Sequence, residues 1–424
     1  MPISTMDGQR IPVKLWIPLQ EVESQALTQL RNAANLQWAR YVCAMPDVHS
    51  GVGVTIGAVV ALKDAVAPNV TGVDLGCGMN AIQTSLKEED LPKYLQKLRL
   101  HIEELIPCGT GRAHEAPHPA TKEDKYKELW DRVEQAEKGT CSIEKAKCQM
   151  GSLGSGNHFI EICVDTNGYV WLMLHSGSRN FGKEVAETHA RKTPLFSYNK
   201  DLPNAALGVF LKGTPEFDAY WRDMQTAQLY AKLNRELMME LLKDALCEEV
   251  PKANFLPLYI SCHHNYAVEE EHFGESLIVT RKGAISARKG EMGIIPGARG
   301  RKSFIVEGLG NPESLFSASH GAGRLMSRGE AKRKYTLEDL ERSSHGIECY
   351  VGKGVIDEIA EAYKKIETVM AYQADLVKPV FELRALINIK GHDDKTKQDR
   401  KESEKAWKKS RQAERDRKQR ERDF

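Results

Sequence analysis

An acid and a thiol stand three residues apart in Val73-Asp74-Leu75-Gly76-Cys77-Gly78-Met79, with glycine on both sides of the cysteine. Glycine lets the backbone fold closely enough for a carboxylate and a thiolate to face one cation, which is the geometry of a metal site. A buried cysteine in a glycine-rich turn also occurs as plain packing, so the rest of the chain has to decide. Small residues in Met150-Gly151-Ser152-Leu153-Gly154-Ser155-Gly156 lead to Asn157-His158 at the mouth of a strand-like run, 159–163, that contains Glu161. An apolar run at 168–174 leads straight into His175-Ser176-Gly177-Ser178-Arg179, and another at 254–260 leads to His263-His264-Asn265. Both runs are expected to be buried on both faces and to deliver an imidazole at their C-terminal ends. One cysteine, several histidines and a carboxylate suit Zn, Fe or Mn, and a shared thiolate would permit two ions. Two neighbouring ions are suited to phosphoryl chemistry.

A second group of residues suits phosphate. Residues 281–302 are basic and glycine-rich, with Arg281, Lys282, Arg288, Lys289, Arg299, Arg301 and Lys302, and Ser303 follows. Cations interleaved with exposed backbone N–H groups offer a phosphate both charge and close approach. In Ser319-His320-Gly321-Ala322-Gly323-Arg324 the small residues expose His320 on a bend, and a helix starting there would put Arg324 one turn later. Such an imidazole is a base, a ligand or a nucleophile, and composition does not choose among them. Asp47 and His49 share a face if extended, either as a pair that orients metal ligands or as part of a turn. The loop at 107–118, with Arg112, His114 and His118, is a connecting loop before it is a lid. The glycine spacing around residue 154 matches neither a Walker loop nor a dinucleotide fingerprint.

These groups need a scaffold. The chain has 424 residues, 41% of them hydrophobic, enough to bury a substantial core. Helical patterns occupy 21–39, 88–105, 121–137 and 215–247, the last with Leu/Met spacing that means core packing, and a strand is expected at 12–17. Formal net charge is +1, but residues 391–424 hold 13 of the 60 Lys/Arg and 9 of the 59 Asp/Glu, leaving the body at −3. With no basic bulk, a polyanion must be held in a local cleft. Nine cysteines without a Cys-x-x-Cys pair fit reduced thiols in the cytoplasm, and no apolar run is long enough to span a membrane. Residues 392–424 form a charged extension, polar all round except Trp407 and Phe424, expected to be a solvated helix or a disordered tail with a weak attraction for RNA.

Taken together, Asp74 to Cys77, Gly156-Asn157-His158, His175 to Arg179, His264-Asn265, 283–297 and Ser319 to Arg324 resemble, in order, the signature blocks of the RtcB family of RNA-splicing ligases. The resemblance runs from about residue 10 to 391. It implies an α+β fold, with a single large catalytic domain at 1–391 whose sheet-lined central cleft is covered by helices. It implies an enzyme that joins an RNA 3′-phosphate or 2′,3′-cyclic phosphate end to a 5′-hydroxyl end with GTP and Mn2+, in tRNA splicing or RNA repair. One Mn2+ would then be held by Cys77, His175 and His264, and a second by Asp74, Cys77 and His158. His320 would accept GMP, helped by Arg324. Asn157, Glu161, Ser303, Ala322, Gly323, Tyr363 and Lys390 would line the nucleotide pocket, with Arg179 toward phosphate or RNA. An activating protein is left open as a further partner. Family members commonly end near a Lys-Gly such as Lys390-Gly391, whereas this chain continues to Phe424, and the family often has serine and methionine where this chain has Ala298 and Arg299. Rival readings of the same residues are a dinuclear-metal phosphoesterase without guanylylation and an RNA-binding module with a structural metal. Intact His320 and Arg324 argue against both.

Overall fold

The apolar runs around the histidines form neighbouring strands. In the computed structural model, which describes residues 1–391, the larger sheet has the order Phe255–His263, Gly78–Lys87, Tyr169–Ser176, Phe159–Asp165, Val377–Lys390, Ser303–Gly308, Met292–Ile295. The short strand Glu348–Cys349 runs parallel to Val377–Lys390. The register sets Met79 and Phe159 on either side of His175, His263 opposite Gly78, Lys390 opposite Phe159 and Asn388 opposite Glu161. The ends of the strands therefore gather the singled-out residues at one edge of the sheet.

A smaller sheet runs Ser4–Met6, Val13–Leu15, Ala39–His49, Ile56–Leu62, Glu275–Lys282, Asn265–His272. The chain passes from one sheet to the other at His264, between the strands Phe255–His263 and Asn265–His272. A two-stranded ladder of Ala284–Ser286 and Ser317–Ser319 then carries His320 to the seam.

Helices close the outer face of the larger sheet. Pro215–Glu249 is the longest; Thr214 Oγ1 accepts from the Phe217 amide at its N-terminus, Pro215 takes the first turn, and Glu216 and Asp218 complement its dipole. Its Tyr220, Met224, Tyr230, Met238 and Leu242 are buried, in one cluster with Leu98 and Ile102, Trp130, and Ile160, Leu172 and Leu174 of the sheet. Each such side chain contributes about 1.5–3 kcal/mol by leaving water. The fold is thus a mixed α+β domain with a cleft between its sheets, as the resemblance implied. Among the described residues, no helix is long and apolar enough to cross a membrane. The charged extension at 392–424 lies outside the described residues.

Three local expectations differ. The run at 254–260 is not buried on both faces: Phe255–His263 is an edge strand, and Tyr259 is 38% exposed. The pattern at 88–105 splits into a 3₁₀ turn, Glu88–Asp90, and a helix, Leu95–Leu105, because Pro92 biases its predecessor out of the helical region. No helix starts at His320; the residues after Ser317–Ser319 bend, and Arg324 bridges to Tyr363 instead.

Candidate active site

The turn after Asp74 places Cys77 at the floor of the cleft. Cys77 Sγ lies 3.3 Å from both His158 Nε2 and His175 Nε2, and the three offer ligand atoms within 4.8 Å of one another. His158 Nε2 is 2.8 Å from Asp74 Oδ2, and His175 Nε2 is 2.8 Å from His264 Nε2. His158 Nδ1 donates to the Leu153 carbonyl at 3.0 Å, which fixes the tautomer and leaves Nε2 with its lone pair. The close packing needs glycine at 177, where a Cβ would sit 2.1 Å from Asp74 Oδ1.

Below the cluster the long helix contributes two buried polar residues. Arg235 donates to the carbonyls of Gly76 (2.9 Å) and Ser176 (3.0 Å) and to Asn80 Oδ1 (3.0 Å). Asn234 donates to the Gly177 carbonyl at 3.1 Å and accepts from the Gly151 amide at 2.7 Å. Together they tie three ligand-bearing turns to one rigid element. The 215–247 pattern reads as core packing, and the polar pair Asn234-Arg235 inside it was the available signal.

Electrostatics in this cluster are those of a site that calls for a cation. Burial pushes the Cys77 thiol well above its ordinary range, and the Asp74 carboxylate pushes the same way. Burial, followed by the neighbouring imidazoles (His264 on His175, His320 on His264), holds both rings well below their ordinary range, so both are neutral. Although burial works to raise it, Asp74 is held down by the His158 imidazole. Two imidazole nitrogens and a thiol facing each other at 2.8–3.3 Å gain most when a divalent ion takes their lone pairs. Sulfur, nitrogen and carboxylate donors together fit a borderline-soft transition metal.

Beside the cluster opens a cavity of about 320 Å³, lined by Asp74, His175 and His264 at one side. Asn157, Glu161, His320, Ala322, Gly323, Arg324, Tyr363 and Lys390 also line it. Cys77 and His158 lie just behind the wall. Ser303 is buried and accepts from the Gly297 amide at 3.2 Å, one shell back from the cavity. Arg179 stands apart from the lining: its guanidinium donates to Ser152 Oγ at 3.0 Å and to the Arg112 carbonyl at 2.9 Å.

The most consequential contact was illegible. Asp47, fully buried, accepts from His320 Nδ1 at 2.7 Å and from the His320 amide at 3.2 Å. Asp47 thus orients His320, while His49, its partner on the extended strand, donates from Nδ1 to the Asp47 carbonyl and lines the cavity. Burial lowers His49 to about 4. The His320 ring lies 4.6 Å from that of His264, centroid to centroid. Gly323 is required here, since its φ is +74° and a Cβ would sit 2.2 Å from the Asp47 carbonyl oxygen.

At the opposite wall Glu358 is a hub. It accepts from Lys390 Nζ (2.6 Å) and Tyr363 Oη (2.9 Å), and pairs with Arg328 and Arg324. Burial works to raise its pKa, but Lys390 and the arginines hold it at about 2. Arg324 also donates to Tyr363 Oη at 2.8 Å and to the Asp357 carbonyl. Glu161 accepts from Asn388 Nδ2 at 2.7 Å, and burial raises its pKa.

Comparison with known proteins gives the family. The family model described as tRNA-splicing ligase RtcB matches residues 29–391. The RNA-splicing ligase RtcB of Escherichia coli (strain K12) is 44% identical over 410 residues, which cover 92% of this chain and all of that protein. The tRNA-splicing ligase RtcB of Methanococcus maripaludis is 27% identical over 467 residues, covering 92% of this chain and 97% of that one. The RNA-splicing ligase RtcB of Mycobacterium bovis is 29% identical over 434 residues, covering 86% and 100%. A match of this extent, with the histidines, the cysteine and the acid gathered at one cleft, makes the chain a member of the RtcB family of RNA ligases.

Proposed function

We propose that the chain joins RNA 3′-phosphate or 2′,3′-cyclic phosphate ends to 5′-hydroxyl ends, with GTP as co-substrate, two Mn2+ ions and a guanylylated His320. It would act in the cytoplasm, in tRNA splicing or repair of cleaved RNA. The observation that carries this reading is the pairing of His320 Nδ1 with buried Asp47, which leaves Nε2 as the nucleophilic nitrogen of a residue lining the cavity beside the metal cluster.

His320 Nε2 attacks the α-phosphorus of GTP; a P–N bond forms, the bond to the β-phosphate oxygen breaks, and pyrophosphate leaves. Asp47 stabilises the cationic imidazole that results. An oxygen of the RNA 3′-phosphate then takes GMP from the histidine, and the 5′-hydroxyl attacks that activated phosphate, releasing GMP and closing the phosphodiester. A cyclic phosphate end is first opened by water.

Cys77, His175 and His264 would hold one Mn2+, and Asp74, Cys77 and His158 the other. Cys77 Sγ lies 3.3 Å from both His158 Nε2 and His175 Nε2, which supports Cys77 as a residue that would serve both sets. Bound there, the ions supply charge that neutralises the triphosphate and makes pyrophosphate a better leaving group. Arg324, Tyr363 and Lys390, positioned by Glu358, present cations and a phenol to the nucleotide, and Asn157, Glu161, Ala322 and Gly323 complete the pocket. Ser303 supports the Gly297 turn from behind, and Arg179 steadies the 107–118 loop before any RNA phosphate reaches it.

The test is incubation with α-labelled GTP and Mn2+, comparing the parent with His320→Ala on a denaturing gel. Label held by the parent and lost in the variant is expected. No label in either, with metal bound and a cyclic phosphate still opened, would replace the ligase reading by a phosphoesterase.

A further inference from the structure

The segment that carries Asp47 is irregular. In the pairing of Ala39–His49 with Ile56–Leu62, Ala44 stands opposite Ala58 and His49 opposite Ile56, so residues 45–48 bulge against Gly57 alone. A bulge leaves residues without a ladder partner and re-aims a side chain, here that of Asp47 toward His320. Its buried carbonyls then need donors from elsewhere, because a buried acceptor without one costs stability. His49 Nδ1 serves the Asp47 carbonyl. The carbonyls on either side, of Pro46 and Val48, accept from a single group, Lys364 Nζ, at 2.9 and 2.8 Å.

Lys364 also belongs to the other half of the pair. Its amide donates to the Gly323 carbonyl at 2.9 Å, and the Leu325 amide donates to the Ala362 carbonyl at 2.8 Å, so its backbone is tied to the bend that follows His320. Tyr363, the residue before it, bridges to Arg324. One residue therefore fixes the backbone around the carboxylate with its side chain and the backbone after the imidazole with its amide. Burial lowers its ammonium to about 8, and Asp47 is the first of the charges that work to raise it. Lys364 does not line the cavity, so it reaches a bound nucleotide only through Asp47 and His320.

We propose that Lys364 is a positioning residue for the reaction of His320: by holding the Pro46 and Val48 carbonyls it sets the bulge that presents the Asp47 carboxylate to the imidazole. This rests on the guanylylation reading above. Lys364 acts through Asp47, not on the reacting atoms.

The experiment measures single-turnover label transfer from α-labelled GTP at saturation in the parent, Lys364→Met, Lys364→Arg, Asp47→Ala, and Asp47→Ala with Lys364→Met together. Calorimetric GTP binding, bound Mn2+ and a melting curve accompany each protein. Lys364→Met keeps the stem and removes the donors; it should slow transfer by about 10- to 100-fold, as a displaced reacting group does, with Mn2+ binding unchanged and GTP affinity within about twofold of the parent. Lys364→Arg, which restores a cation with N–H donors, should recover most of the rate. The discriminating result is the coupling: with Asp47 already gone, losing Lys364 should slow transfer by less than about twofold further. A loss that repeats in full on Asp47→Ala would assign Lys364 to general packing and overturn the proposal, as would transfer at the parental rate in Lys364→Met. If Lys364→Met does not fold, Lys364→Gln takes its place and is read on the same two backgrounds. A parent that takes no label removes the guanylylation reading itself, whereas a labelled parent matched by Lys364→Met removes only the role of Lys364.

Discussion

Replacing Asp47 by asparagine changes one oxygen for an amide nitrogen and tests how His320 is made a nucleophile. Asp47 Oδ2 receives both the His320 ring N–H and the His320 backbone N–H, while Oδ1 is buried without a partner. An asparagine that keeps its oxygen toward His320 places its amino group where Oδ1 was, as a buried donor with no acceptor. Turned the other way, the amino group confronts two N–H groups and drives the imidazole to the tautomer with a protonated Nε2, which cannot attack phosphorus. Either arrangement forfeits a charge-assisted hydrogen bond of about 1.5–3 kcal/mol. At about 1.4 kcal/mol per factor of ten, single-turnover guanylylation should slow by about 10- to 150-fold. Asp47 does not line the cavity, so GTP affinity should stay within about twofold of the parent. The assay is the rate of label transfer from α-labelled GTP at saturation, beside calorimetric binding of GTP and a melting curve to establish folding. Transfer at the parental rate in a folded Asp47→Asn protein would refute the argument, and so would a slowing that disappears at saturating GTP.

Three further outcomes follow from the same geometry. If the thiolate is shared, Cys77→Ser should bind no Mn2+ equivalents and Asp74→Ala one, against two for the parent, by metal analysis after desalting; one equivalent on Cys77→Ser would dissolve the bridge. Gly323→Ala forces a Cβ against the Asp47 carbonyl in a left-handed backbone, so guanylylation should fall more than tenfold while Mn2+ binding persists; unchanged labelling would contradict the packing. Stability should depend on pH in two stages: buried His49 and His263, lowered to about 4 and about 3 from 6.5, contribute stability that is present above pH 6.5 and lost as acid protonates them preferentially in the unfolded chain. Glu358, held at about 2, adds a contribution present above its ordinary 4.5 and lost as pH falls toward 2. A urea midpoint that stays constant from pH 7 to 5 would exclude the histidine stage.

What the sequence disclosed of this site follows from where chemistry sits relative to regular structure. Cys77, His158, His175 and His264 are each adjacent to an apolar run, so strand pairing alone brings them together, and a local pattern sufficed to find them. Asp47 and His320 are 273 positions apart, and Glu358 meets Lys390, Arg324 and Arg328 from separate segments; such pairings leave no period in a sequence. Arg179 is likewise met from afar, its Nε donating to Ser152 Oγ and its Nη2 to the Arg112 carbonyl, partners that a conspicuous arginine in a small-residue loop does not announce. The edge position of Phe255–His263 was equally invisible, because an apolar run does not state how many neighbours it will have.

The two kinds of residue also belong to different sheets. The Cys77, His158 and His175 group hangs from the larger sheet, while Asp47, which holds His320, lies on Ala39–His49 of the smaller one. His264 joins them: its amide donates to the Cys77 carbonyl at 2.8 Å, and its carbonyl accepts from the Gly283 amide at 2.8 Å on the side of His320. The separation of His320 from the Cys77 group is therefore set by how the two sheets pack across this seam. If His320 is guanylylated as proposed, interior side chains there, such as Cys43, Met45 and Ile285, should act on that rate without touching the site, because their packing fixes the angle at which His320 meets the Cys77 group.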